Sequence, residues 1–207
     1  MKHFLLFCSV GLLATPALAE SFTYGPESCE FQITFPEKPY IEKKCRAAQG
    51  SEKSKSPPEC AEIVSYTKAV GASASTEFRV TCQSITADER NKYNSAILEE
   101  TLKKMLQDKG LEAFNTKSGD KGNYKTAATL SLTTRDGKPL IYSSQLWVGQ
   151  KSMFTIEAEM LGEKNDEIEK IFADILKKTY PKDSPPPSPN PAKKSNDEQK
   201  TNNEKKK

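Results

Sequence analysis

Five cysteines, a single histidine and one closely spaced pair of glutamates are the residues of this sequence best suited to chemistry. The glutamates are Glu157 and Glu159 in "FTIEAEML", alternating with Ile156, Ala158 and Met160. On a strand, residues two apart project to the same face. Two carboxylates so placed could work as an acid and base pair, as in glycoside hydrolysis. The same alternation is also ordinary for a half-buried strand, and it needs no site to explain it. A Ser-Lys pair is the other nucleophilic arrangement open to a chain with so little histidine.

The histidine is His3, and it sits in what reads as a leader. Lys2 supplies a positive start, Phe4 to Ala14 carry no charge, and Thr15-Pro16 precede the small residues Ala17 and Ala19. Those parts describe a secretory signal peptide over residues 1–19, cut after Ala19. At about 11 residues the run is well short of the roughly 20 needed to span a membrane. Export therefore predicts a mature protein with no imidazole, no Ser-His-Asp or Cys-His nucleophile and no His-ligated zinc. With no CxxC spacing in addition, neither a metal nor a cofactor is expected.

Cys8 leaves with the leader, so Cys29, Cys45, Cys60 and Cys82 remain, an even set in an oxidising compartment. They read as staples. Four cysteines allow three connectivities. Around Cys29, Phe31, Ile33 and Phe35 alternate as a strand, Pro36 to Pro39 break it, and Tyr40 to Cys45 can return antiparallel. That hairpin brings Cys29 near Cys45. A second hairpin about Gly71-Ala72-Ser73-Ala74 brings Cys60 near Cys82. The favoured set is thus Cys29–Cys45 with Cys60–Cys82; the rival is Cys45–Cys60 across a polar loop, with Cys29–Cys82 inside.

Further along, Thr86 and Glu89 form a capping box, opening a helix whose apolar stripe runs from Tyr93 through Leu98 and Leu102 to Leu106. Gly110 stops it. Three strands follow, Tyr124 to Thr134, Leu140 to Val148 and Ser152 to Leu161, the first two joined by the tight-turn dipeptide Asp136-Gly137. A last helix starts at Asn165 and carries Ile168, Ile171, Phe172, Ile175 and Leu176 on one face. The expected fold is α+β, an antiparallel sheet with two amphipathic helices packed on it, in a single domain over 20–180. From Pro181 to Lys207 no side chain is large and apolar, except the aliphatic part of lysine, which predicts a disordered Pro/Lys-rich tail.

This order, with its opening strand "FQITFP", resembles the PsbP/DcrB-type family of small α/β/α sandwiches. The resemblance implies a helix-covered antiparallel sheet and an accessory, binding or assembly role without a catalytic site. It transfers no functional residue.

The expected function is that of a non-catalytic accessory protein of the periplasm or cell envelope, in a Gram-negative host, binding an envelope protein or a small ligand on one sheet face. In "LIYSSQLWVG", Ile141 and Trp147 share a face opposite Leu140, Tyr142, Leu146 and Val148. Trp147 and Ile141, with Tyr124 and Phe154, form the candidate interaction patch. The chain's formal excess of +3 is concentrated in the tail, giving it a means of touching anionic envelope surfaces. Nucleic acid is not an expected partner, nor is a membrane span expected. The alternatives are a carboxylate-based hydrolase of an envelope polymer and a structural spacer with a basic, envelope-contacting tail.

Overall fold

The computed structural model describes residues 20–46 and 59–184. The expected leader and residues 185–207 of the expected tail lie outside the described residues. Phe22–Tyr24 (β1) pairs antiparallel with Phe31–Phe35 (β2), which buries Phe31, Ile33 and Phe35 on one face. The chain does not then return on β2 as expected. The other side of β2 is taken by the last strand, Thr179–Pro181, so β2 is central in a three-stranded sheet and has no open edge. Pro36 to Pro39 instead carry the chain into a second sheet, where Tyr40–Arg46 (β3) pairs with Glu59–Val70 (β4).

From β4 the chain turns through Gly71 into Ala74–Ser84 (β5), as the turn residues predict. The Thr86 capping box is present: Thr86 Oγ1 accepts from the Glu89 amide, and Glu89 accepts from the Thr86 amide at 2.7 Å. It caps only a short helix, Ala87–Lys92 (α1). The single helix expected here is two, because Asn94 adopts an extended conformation and caps a new one, Ser95–Gln107 (α2), by accepting from the Ile97 amide. A polar strand without apolar alternation, Asn115–Asp120 (β6), comes next and was not expected.

Lys125–Arg135 (β7) and Lys138–Val148 (β8) follow, joined by Asp136 and Gly137 with φ of 51° and 75°. Two positive φ values make the tight turn that matches strand twist. Ser152–Gly162 (β9), Asp166–Lys177 (α3), capped by Asn165, and Thr179–Pro181 (β10) complete the chain. The large sheet is antiparallel and seven-stranded, in the order β3-β4-β5-β9-β8-β7-β6.

Alternation in β8 divides the molecule into its layers. Leu146 and Val148 pack with Leu98 and Leu102 of α2 on one face. Trp147 and Ile141 face the other side, toward the core shared by β2, α3, β4, β5 and β9. There Phe172 of α3 lies 5.6 Å from Phe78, ring centre to ring centre. The fold is thus a mixed α+β arrangement, with α2 on one face of the large sheet and α3 and the small sheet on the other.

The cysteines form Cys29–Cys82 and Cys45–Cys60, not the favoured pairing. Two registers explain the correction. Because β3 pairs with β4 and not with β2, Cys45 stands opposite Cys60. Cys82 stands opposite Glu62, and its side chain enters the core beside Cys29. The Cys29–Cys82 bridge is buried and ties the small sheet to the large one; Cys45–Cys60 is exposed and clips the edge strand. Among the described residues no helix is long and apolar enough to cross a membrane.

Candidate functional site

Two places concentrate the candidate residues, on opposite faces of the large sheet. On the α3 side, Thr126 of β7 stands opposite Trp147, and Trp147 opposite Phe154 of β9. This register stacks Tyr124 on Trp147 with ring centres 5.7 Å apart and planes 21° apart. Phe31 of β2 meets both, edge-on to Tyr124 at 6.0 Å and tilted against Trp147 at 5.6 Å. Aromatic pairs prefer such offset and edge geometries.

Of the four patch residues, the structure joins Tyr124 and Trp147 at the surface, both partly buried. Phe154 is fully buried beneath them and supports the patch without reaching solvent. Ile141 shares the face but stands six residues along β8 from Trp147, about 20 Å away at strand rise. It packs across from Met160 and belongs to another part of the surface. Phe31, which strand alternation marks only as core, completes the aromatic wall.

Phe31 and Tyr124 line a cleft of about 470 Å³; Trp147, stacked against Tyr124, is not among its lining residues. The cleft's floor and rim come from four separate segments: Glu30 and Phe31, Asn123 and Tyr124, Gln150, and the end of the described chain at Ser184. Glu30 locks one rim. Its carboxylate accepts from the backbone N–H groups of Gln150 (3.0 Å), Lys151 (2.7 Å) and Ser152 (2.9 Å), and from Ser152 Oγ at 3.1 Å. The Glu30 N–H donates back to Ser152 Oγ at 2.9 Å. Burial opposes ionisation of Glu30, but these hydrogen bonds outweigh it and hold the carboxyl below its ordinary value. A Cβ at Gly149 would lie 2.2 Å from Glu30 Oε2, so a larger residue there must displace this carboxylate from its donors. No local pattern in the sequence announces this anchor, whose partners lie 120 residues away and more.

On the α2 side, Glu157 and Glu159 do share a face, lining a hollow of about 90 Å³ with Glu77, Arg79, Lys109 and Tyr142. Each is already committed. Glu157 accepts from Tyr142 Oη at 2.8 Å and pairs with Lys109 Nζ at 2.8 Å. Arg135 forks onto Glu159 at 2.6 and 3.2 Å. Burial alone would raise the Glu157 carboxyl; the Lys109 and Tyr142 hydrogen bonds and nearby cations leave it lowered. Tyr142 is pushed well above a normal phenol by its own burial and by Glu157. Both side chains are thus spent in ion pairs, Glu157 with Lys109 and Glu159 with Arg135. Among the described residues no group of acidic, Cys or His side chains could hold a metal ion.

Fold and site together define a disulfide-braced α+β domain with an aromatic-walled cleft between hairpin tips and the end of the small sheet. No protein-family model matches the chain, and no curated protein matches it in sequence. A solved structure, that of LpqN, involved in cell envelope biogenesis of Mycobacterium tuberculosis, is similar over 77% of this chain and 89% of that one. The identity is 9% and the TM-score 0.36, too slight a likeness to define a fold or a role.

Proposed function

We propose that this protein is an exported, non-catalytic accessory protein of the cell envelope, working in a Gram-negative periplasm, and that it binds a protein or small ligand in the aromatic cleft. One observation carries the reading: Tyr124 and Phe31, with Trp147 stacked against Tyr124 outside the lining, wall a cleft of about 470 Å³. Binding sites are typically concave, apolar or aromatic in lining, and furnished with a few polar groups that orient the ligand. Asn123 and Gln150 are those groups here. Export is supported by the leader pattern and by two disulfides, which persist in oxidising compartments. The element order that resembles PsbP/DcrB-type domains agrees with an accessory role.

A hydrolase built on Glu157 and Glu159 has the 90 Å³ hollow in its favour. Against it stands the charge state. A glycosidase acid must be held protonated by a raised pKa, whereas Glu157 is held the other way.

The test is affinity capture of ligand or partner from the native envelope fraction by the full chain, by Tyr124→Ala and by Gln150→Ala. Capture that the two cleft variants lose, while their melting stays cooperative, supports the reading. Undiminished capture by both variants refutes it, as does envelope-polymer hydrolysis that Glu157→Gln abolishes.

A further inference from the structure

We propose that the cleft is a saccharide site, taking a neutral sugar against Tyr124 with Asn123, Gln150 and Asp183 as partners for its hydroxyls. The inference rests on reading the cleft as a binding surface and adds the class of ligand. Three loops meet at the rim. Asn123 precedes β7, Gln150 sits in the β8–β9 turn, and Asp183 and Ser184 follow β10. The Gln150 side-chain nitrogen donates to the Asn123 carbonyl at 3.1 Å, which couples the first two loops. The third is set by the Lys182 N–H on the Glu30 carbonyl at 2.9 Å and the Ser184 N–H on the Pro181 carbonyl at 3.0 Å. A rim whose backbone is already fixed orders little on binding, which lowers the entropic cost.

Unused hydrogen-bonding capacity points to the ligand. Among the described residues, the Asn123 amide and the Asp183 carboxylate have no side-chain hydrogen bond, and Gln150 keeps its oxygen and one N–H. Amides and carboxylates offer coplanar donors and acceptors. Neighbouring hydroxyls of a sugar ring, each both donor and acceptor, match that pattern. A sugar ring also carries a patch of C–H bonds suited to an aromatic surface. Tyr124 supplies one, braced by Trp147 at 5.7 Å and by Phe31 at 6.0 Å. The volume, about 470 Å³, falls in the range of small-molecule sites, roughly 300–1,000 Å³.

Other ligand classes fit less well. An anion would meet Glu30 and Asp183, and among the described residues no lysine or arginine lines the cleft. Lys182, next to it in sequence, places its Nζ on the Pro26 carbonyl at 2.6 Å. A cation finds the Glu30 carboxylate already accepting four hydrogen bonds. Asp183 is exposed, where an ion pair contributes little. An alkyl chain would strip water from Asn123, Gln150 and Asp183 and leave them unpaired, which is costly.

The experiment titrates maltose, cellobiose and N,N′-diacetylchitobiose, all neutral, into the isotope-labelled full chain through the millimolar range. The expected result is a saturable shift of the Asn123, Tyr124 and Gln150 amides with at least one of them, while Leu98 and Leu102 stay unmoved. The affinity should be the same at about 0.05 and about 0.5 M NaCl, because a neutral ligand has no charge to screen. Tyr124→Ala weakens it about tenfold. Asn123→Ala, at an exposed position that leaves the core untouched, weakens it about two- to tenfold. Silence with all three sugars overturns the proposal, and so does binding that both variants retain in full. Tetralysine shifting the same amides, more weakly as salt rises, while the sugars do nothing, would assign the cleft to a basic ligand instead. If the sugars fail while Tyr124→Ala still abolishes capture from envelope, only the ligand class is wrong and the cleft stands. If capture also persists in the variants, both readings fall.

Discussion

Replacing Glu30 by glutamine tests how the cleft rim is held. The carboxylate takes three backbone N–H donors from the β8–β9 turn and one hydroxyl. Glutamine keeps one acceptor oxygen but turns an NH2 group toward donors, so at least one turn N–H loses its partner. Hydrogen bonds to a charged group contribute about 1.5–3 kcal/mol each when the group is well shielded. Glu30 is only partly buried and water can replace part of the loss, so a total of about 2 kcal/mol is expected. For a domain of this size that lowers Tm by about 4–8 °C. The pH dependence follows from the sign of the shift. A carboxyl lowered in the folded state contributes its full stability above the unfolded value, near 4.3, and loses it as pH falls through the lowered folded value. The gap between parent and Glu30→Gln should therefore be full at pH 7 and narrow progressively below about pH 4. Thermal unfolding followed by circular dichroism, from pH 7 to pH 3, measures it. Equal Tm values at pH 7, or a gap of the same size at pH 3, would refute the reasoning.

The two disulfides should separate by exposure. Mild thiol reduction followed by alkylation and peptide mapping labels Cys45 and Cys60 first, since Cys29 and Cys82 are buried. In the chain-entropy account, removing Cys29–Cys82, with a separation of 53, costs about 4 kcal/mol, and removing Cys45–Cys60, with a separation of 15, about 3 kcal/mol. In urea unfolding, Leu102→Ala costs about 2–5 kcal/mol because Leu102, on the sheet-facing side of α2, is fully buried. Leu132→Ala, at a half-exposed position, should stay within about 0.5 kcal/mol.

Local signals in the sequence marked local structure well. The Asp136-Gly137 turn, the Thr86 capping box and the Asn165 cap all stand where their residue types place them. What they did not reveal is which sheet a strand joins. Pro36 to Pro39 read as a hairpin turn, yet a proline-rich break serves equally to pass a chain from one sheet to another. The outcome depended on β1 and β10 occupying both edges of β2, and β10 lies almost 150 residues further on. The disulfide pairing inherited that error. For β6 the sequence NTKSGD has no apolar alternation, and it is a strand only because β7 offers it an edge. The helix break at Asn94 is plain once seen, since an Asn before Ser-Ala-Ile is a fair N-cap inside a stripe that otherwise continues.

The site was half legible for the same reason. Alternation put Trp147 and Ile141 on one face, and they are on one face, but it carries no information about distance along the strand. The rim anchor at Glu30 joins residues far apart in sequence through backbone donors, which leave no trace in residue type. The paired glutamates were legible as a pair; that each is neutralised depends on Lys109 and Arg135, which reach them from other elements.

Hydrogen exchange of the full chain, alone and with native envelope extract, tests the binding account most directly. The account predicts added protection at residues 123–126 and 149–152, the hairpin tips beside the Tyr124–Trp147 wall. Protection centred instead on Glu77, Arg79 and Glu157, with the tips unchanged, would contradict it.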